Sequence, residues 1–318
     1  GELVSARGES GGEDSRGTGL DRQIARLEDR RASKEDARAA GDLKGQKVRS
    51  SAERLLTRST SGAIYAALTL LCLTVGPLTT TLLIAAEAWL CCSEFFRICR
   101  MGGRMPNETI GLAAALLFPV AAYANGLLAC ALVIFVLLMA CAAWYVFAPR
   151  ANIADVAATA FGPLYTSLAF SSIVLVRMCD GGPAGAILTL GVMFSIWGND
   201  AMAYLVGSAI GSHKLAPRIS PSKSVEGFFG GILGSVVVWV VVSLLVSELS
   251  VAWAVVCGLV VGFAAVIGDL FESRLKRGVG VKDSGNLMPG HGGLLDRSDS
   301  MLFGGMAAYF LLLFGGIL

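Results

Sequence analysis

The chain has 318 residues, is 54% hydrophobic and only 16% charged, and carries a formal net charge of +2 at a mean hydropathy of +0.66. Soluble domains are about 45–50% apolar and about a quarter charged, so an ordinary water-soluble domain is excluded. No basic patch interleaved with aromatics is present, and no nucleic-acid partner is expected.

The charge is unevenly spread. Residues 1–58 hold 13 of the 26 Lys/Arg and 11 of the 24 Asp/Glu. Residues 1–57 therefore read as a charged cytoplasmic tail, disordered or partly helical, ahead of a polytopic membrane catalytic domain over 58–318. The opening 18 residues are Gly/Ser/Glu/Arg-rich and expected to be disordered. From Leu20 to about Arg38 a short stripe of Leu20, Ile24 and Leu27 permits a helix. The first 58 residues contain no apolar h-region, so no secretory signal peptide is expected there.

From Gly62 onward apolar runs alternate with short polar connections. A helical span needs about 20 apolar residues. Nine candidates lie near 62–77, 78–96, 109–124, 126–148, 153–176, 185–208, 227–247, 250–271 and 301–318. The fold class expected is an all-α integral membrane protein with about nine transmembrane helices and a cytoplasm-facing polar cavity. With the N-terminal tail cytoplasmic, Arg97, Arg100, Arg104, Arg150, Lys214, Arg218, Lys223, Arg274, Lys276, Arg277, Lys282 and Arg297 fall on the inner side. Arg177 alone falls on the other. That asymmetry follows the positive-inside rule. The outer loops are tiny, so the chemistry is expected at the cytoplasmic face.

Isolated polar residues inside the spans are read conservatively. The eight cysteines form no Cys-x-x-Cys pair and read as small buried hydrophobes. Glu87 is expected in a buried helix–helix hydrogen bond, and Glu94, Arg97 and Arg100 as interfacial anchors. Asn107-Glu108-Thr109 matches a glycosylation acceptor but is placed cytoplasmically and discounted.

Two polar stretches carry chemistry. The first runs from Asn199-Asp200 through His213-Lys214 and Arg218 to Ser220-Pro221-Ser222-Lys223-Ser224-Val225-Glu226-Gly227. A carboxylate inside a span costs about 2.5–3.5 kcal/mol on insertion scales, so Asp200 must face a cavity or a partner. Basic and hydroxyl residues just before a new helix suit phosphate. The second stretch runs from Gly268-Asp269 to Asp296-Arg297-Ser298-Asp299. Asp269 ends one span, while Asp296 and Asp299 open the next. Carboxylates from two helix ends suit Mg²⁺, which usually takes one or two carboxylates plus substrate phosphates. Arg274, Lys276, Arg277 and Lys282 surround them, and Gly285, Gly290, Gly292 and Gly293 let backbone N–H groups approach a ligand. His291 reads as a proton carrier, a phosphate donor or a turn-stabilising group. With no Cys or second His nearby, it makes a poor zinc ligand.

The segment Ser273-x-Leu275-Lys276-Arg277-x4-Lys282-Asp283-x-Gly285-x2-Met288-Pro289-x-His291-Gly292-Gly293-Leu294-x-Asp296-Arg297-x-Asp299 resembles the signature of the phosphatidate cytidylyltransferase (CDP-diacylglycerol synthase) family. The block from His213 to Gly227 and the Arg58–Gly62 entry to the first helix look similar to the same family, so the resemblance covers about residues 58–318. Three positions depart from its usual pattern: Met288, Ser298, and Met202 in place of a glycine.

The resemblance implies that CTP and phosphatidate give CDP-diacylglycerol and pyrophosphate, with Asp269 and Asp296 binding Mg²⁺ beside a second cation. Lys223, Lys276, Arg277, Lys282 and Arg297 would hold phosphates. The catalytic set expected is Asp269, Asp296, Lys282 and His291. Substrate contacts are expected from Asp200, Lys214, Arg218, Ser220, Lys223, Glu226, Ser273, Lys276, Arg277, Asp283, Gly292, Gly293, Arg297 and Asp299. The implied setting is a bacterial inner membrane, and a homodimer is left open. A CTP-dependent polyprenol- or phytol-type lipid kinase is the alternative enzyme. A transporter is the alternative from another class, though no inverted repeat is visible.

Overall fold

The computed structural model describes residues 25–33, 35, 60, 62–180, 182–285 and 292–318. The chain divides into two units, Gly1–Ser59 and Thr60–Leu318. In the first, residues 25–33 are helical and exposed, Leu27 included. Leu20 and Ile24, the rest of the expected stripe, lie outside the described residues.

The second unit is built from helices. α1 covers Gly62–Val75, and α2 covers Pro77–Met101. Proline at the first position of α2 has its φ already set and has no N–H to leave unpaired, so it starts the helix cleanly. Thr79 and Thr80 donate back to the carbonyl of Cys72, at 2.7 and 3.1 Å, and fasten the two helices end to end.

α3 runs from Glu108 to Phe147, and its backbone leaves the helical region at Asn125 and Gly126. Gly126 has a φ of 62°, a conformation that glycine takes without steric cost. The break falls where the apolar pattern divides 109–124 from 126–148.

α4 (Ile153–Pro163) opens with a capping box between Asn152 and Asp155. It passes through a π-helical turn, Leu164–Leu168, into α5 (Ala169–Arg177). Within this stretch 78% of the apolar window is buried, against 22% for α3. Ile153–Arg177 is therefore the central stave, and α3 lies at the periphery. Arg177, the one basic residue expected at the outer end, is buried and donates to Leu73 O at 2.9 Å and Asp180 O at 3.0 Å.

α6 (Pro183–Ile210) is followed by two short antiparallel strands, β1 (Lys214–Ala216) and β2 (Ser220–Ser224), and then by α7 (Val225–Leu245). An all-α chain was expected, with this segment as a loop. The hairpin forms because Lys214 pairs with Ser224 and Ala216 with Ser220. α7 presents Gly227, Gly230, Gly231 and Gly234 to α6. A Cβ on Gly231 would stand 2.8 Å from the carbonyl oxygen of Asn199. A face of small residues lets two helix backbones meet in lipid.

α8 (Val251–Gly278) and α9 (Leu295–Phe314) complete the fold. Gly268 of α8 lies against the backbone of Asp299 on α9. Among the described residues, five helical stretches are long and apolar enough to cross a membrane: Glu108–Phe147, Ile153–Arg177, Pro183–Ile210, Val225–Leu245 and Val251–Gly278. The chain is thus a mostly helical membrane protein. Its cysteines are free, with five of the eight buried.

Candidate active site

A cavity of about 820 Å³ opens where α6, the hairpin, α8 and the start of α9 converge. Five carboxylates line it (Asp200, Asp269, Asp283, Asp296, Asp299), with five basic side chains (Lys223, Lys276, Arg277, Lys282, Arg297). Ser220, Ser222, Ser224 and Ser273 add hydroxyls.

Helical spacing explains the grouping on α8. Residues three and four apart share a face, so Asp269, Ser273 and Lys276 turn together toward the cavity. Lys223, brought over by β2, stands 2.5 Å from Asp269 Oδ2. Ser273 donates to Asp269 Oδ1 at 3.3 Å. One turn on, Lys276 reaches Asp296 Oδ1 at 2.6 Å and Glu272 Oε2 at 2.5 Å. Glu272 is fully buried, so its ion pair lies beneath the cavity floor.

Asp296 also accepts from the backbone N–H groups of Ser284 at 2.9 Å and Gly293 at 2.8 Å. It precedes the apolar stretch that begins at Met301. Burial works against its ionisation, but the Lys276 ammonium and the Gly293 N–H outweigh it and hold the carboxyl below the usual range. Gly292, at a φ of 84°, makes this closure possible: a Cβ there would stand 2.8 Å from Asp296 Oδ2. Asp200, Asp269 and Asp299 line the same cavity.

Other expected residues fall elsewhere. Lys214 and Arg218 are exposed on the hairpin and are not among the residues lining the cavity. Glu226 is also absent from the lining. It accepts from His213 Nδ1 at 2.6 Å and from Ser212 Oγ at 3.2 Å, so it braces the foot of the hairpin. His291 lies outside the described residues. Among the described residues, no three His, Cys, Asp or Glu side chains converge as a closed metal cage.

Two acidic residues depart from or extend the reading of the sequence. Glu94, expected as an interfacial anchor, is buried at 8% exposure and hydrogen-bonds the segment that leads into α9. Its partners are about 200 residues away, beyond any local pattern. Glu272 was hidden by its place in a charged run, although its i, i+4 spacing to Lys276 is visible in the sequence. Glu87 is buried as expected, but its Oε1 meets no hydrogen-bond partner among the described residues.

Of the three departures from the usual motif, Met288 lies outside the described residues and the other two are absorbed locally. Met202 packs on Gly234, which has no side chain to obstruct it. Ser298 is buried and donates to Leu294 O at 3.0 Å, so its hydroxyl is satisfied.

A cavity lined by paired acids and bases has the make-up of a phosphate-handling transferase site. The chain belongs to the cytidylyltransferase family, which it matches over residues 56–314. It is 52% identical over 135 residues to a phosphatidate cytidylyltransferase of Pseudomonas aeruginosa, a match covering 42% of this chain and 49% of that protein. It is 32% identical over 254 residues to a phosphatidate cytidylyltransferase of Synechocystis, covering 71% and 86% respectively. A Bacillus subtilis protein of the same name is 37% identical over 150 residues, covering 47% of this chain and 55% of that one. The chain spans about half the length of the Pseudomonas and Bacillus relatives.

Proposed function

We propose that the chain is a phosphatidate cytidylyltransferase, converting CTP and phosphatidate into CDP-diacylglycerol and pyrophosphate. The observation that carries this reading is the arrangement of the signature segment in space. Among its described residues, Asp269, Ser273, Lys276, Arg277, Lys282, Asp283, Asp296, Arg297 and Asp299 line one cavity, bringing basic side chains and carboxylates together. Relatives bearing the phosphatidate cytidylyltransferase name support the choice of substrates.

The chemistry follows from charge. A phosphate oxygen of phosphatidate attacks the α-phosphorus of CTP, and the bond from that phosphorus to the oxygen bridging toward the β-phosphorus breaks. Pyrophosphate departs with the electron pair. The nucleophile is already an anion, so no side chain is needed to deprotonate it. What the protein must do is bring two polyanions together and hold them in line. Arg277, Lys282 and Arg297 at the cavity wall would bind phosphate oxygens. Lys223 and Lys276 would do so from positions already set by Asp269 and Asp296.

The donor set also suits a hard cation. Asp269 and Asp296 offer one carboxylate each from adjoining helices, and magnesium needs only one or two carboxylates beside water and phosphate. Bound there, the ion would neutralise phosphate charge. Asp200 and Asp299, which line the same cavity as Asp269, add further carboxyl oxygens for a cation or its waters.

In this reading the chain crosses a bacterial inner membrane about nine times, with the N-terminus and the cavity cytoplasmic. The burial of Arg177 inside the helical end supports that orientation, because it removes the one basic residue from the outer loops.

The deciding assay uses CTP labelled at the α-phosphate, phosphatidate and Mg²⁺ in detergent. Label in the lipid is the expected result. Label transferred only from the γ-phosphate would make the chain a lipid kinase and overturn the proposal. Asp269→Asn or Asp296→Asn should abolish product while membrane insertion is unchanged, and full activity in both would sink the metal assignment.

A further inference from the structure

Glu94 lies near the end of α2, far in sequence from every residue it binds. Its Oε1 accepts from Leu294 N–H at 3.0 Å. Its Oε2 accepts from Leu295 N–H and from the Ser284 hydroxyl, both at 2.8 Å. Among the described residues it forms no ion pair. Hydrogen-bond donors alone hold this buried carboxylate.

Two of those donors are the N–H groups that a helix start leaves unsatisfied. Leu294, at the N-cap of α9, has no side-chain acceptor to meet them. Glu94 supplies that acceptor from another helix, where the positive end of the helix dipole favours an anion. Gly285 and Gly293 press on the same carboxylate so closely that a Cβ at either would collide with it.

The neighbouring donors go to Asp296. Ser284 gives its N–H to Asp296 and its hydroxyl to Glu94. Gly293 N–H goes to Asp296, and the next two amides go to Glu94. Two carboxylates from different helices therefore divide one set of donors, and a shift at either must move the other.

We infer that Glu94 is a positioning residue of the site: it fixes Ser284 and the first amides of α9, and through them sets Asp296 against Lys276. The kinetic consequence rests on the proposed cytidylyl transfer, whereas the structural one stands without it.

The test uses the full chain in detergent, as wild type, Glu94→Gln and Ser284→Ala. Glutamine keeps the size but turns an N–H₂ toward groups that are themselves donors. Hydrogen exchange of the peptide holding Leu294 and Leu295 should quicken at least tenfold in Glu94→Gln and less in Ser284→Ala. Per folded molecule, Glu94→Gln should lower kcat and raise the KM for CTP, with kcat/KM down at least tenfold. A residue that merely supports the fold would lower Tm and yield without that split. Unchanged exchange overturns the inference, as does loosened exchange with wild-type kcat and KM. If the wild type transfers no cytidylyl group, the functional reading fails and exchange alone decides the role of Glu94. If Glu94→Gln fails to fold, faster exchange in Ser284→Ala upholds the inference and unchanged exchange there overturns it.

Discussion

Lys276 on α8 holds Asp296 on α9 at 2.6 Å, while the same ammonium neutralises Glu272, which has no exposure to solvent. One cation thus ties the two helices that bring most of the site together and serves a carboxylate beneath the cavity. Lys276 is therefore a structural member of the site.

Breaking a buried pair by removing one partner costs about 3–5 kcal/mol. Lys276→Met should therefore lower Tm sharply in detergent and abolish turnover. Adding Glu272→Gln removes one of the two carboxylates left without their cation and should recover part of the Tm while activity stays absent. Scanning calorimetry beside the labelled-CTP assay separates the two effects.

Gly292 holds a left-handed backbone directly against Asp296. Glycine is needed there both for its φ and for the space. Gly292→Ala should cost about 1–3 kcal/mol locally and lower kcat at least tenfold, with normal membrane abundance. Wild-type turnover in this variant would show that the segment is not held closed during catalysis.

At the α6–α7 contact, the Cβ of Gly231→Ala would meet both the backbone carbonyl oxygen and the side-chain amide oxygen of Asn199 at 2.8 Å, and the backbone oxygen cannot swing away. The helices would have to part. Overpacking of this kind costs about 1–3 kcal/mol, and the expected readout is a lower Tm in detergent. An unchanged Tm would mean that the two helices are not in backbone contact.

Chelation should silence the enzyme, and added Mg²⁺ should restore it. In Asp269→Asn the same addition should restore little, because one of the two proposed carboxylate ligands is gone. Activity that survives exhaustive EDTA would remove the ion from the scheme.

Much of this site was legible because membrane sequences separate their polar residues so sharply. Asp200, Asp269 and Asp299 stand out against apolar runs, and the i, i+3 and i+4 spacing on α8 already groups Asp269, Ser273 and Lys276. The roles of Glu226, Glu94 and Glu272 were not legible. Glu226 sits among phosphate-suited residues yet turns to His213, a choice set by how the hairpin folds. That hairpin hides behind Ser220-Pro221-Ser222-Lys223-Ser224, which has little strand propensity. Glu94 finds its donors on a helix about 200 residues later, and no periodicity reports such a contact.

The glycine face of α7 has a further consequence. Side chains can yield, but two backbones in contact cannot come closer. Asp200 sits on α6 beside that contact, and Lys223 immediately precedes α7. The seam therefore acts as a gauge block for the mouth of the cavity: its width there is set by main-chain thickness rather than by rotamers. The site is calibrated on its stiffest edge.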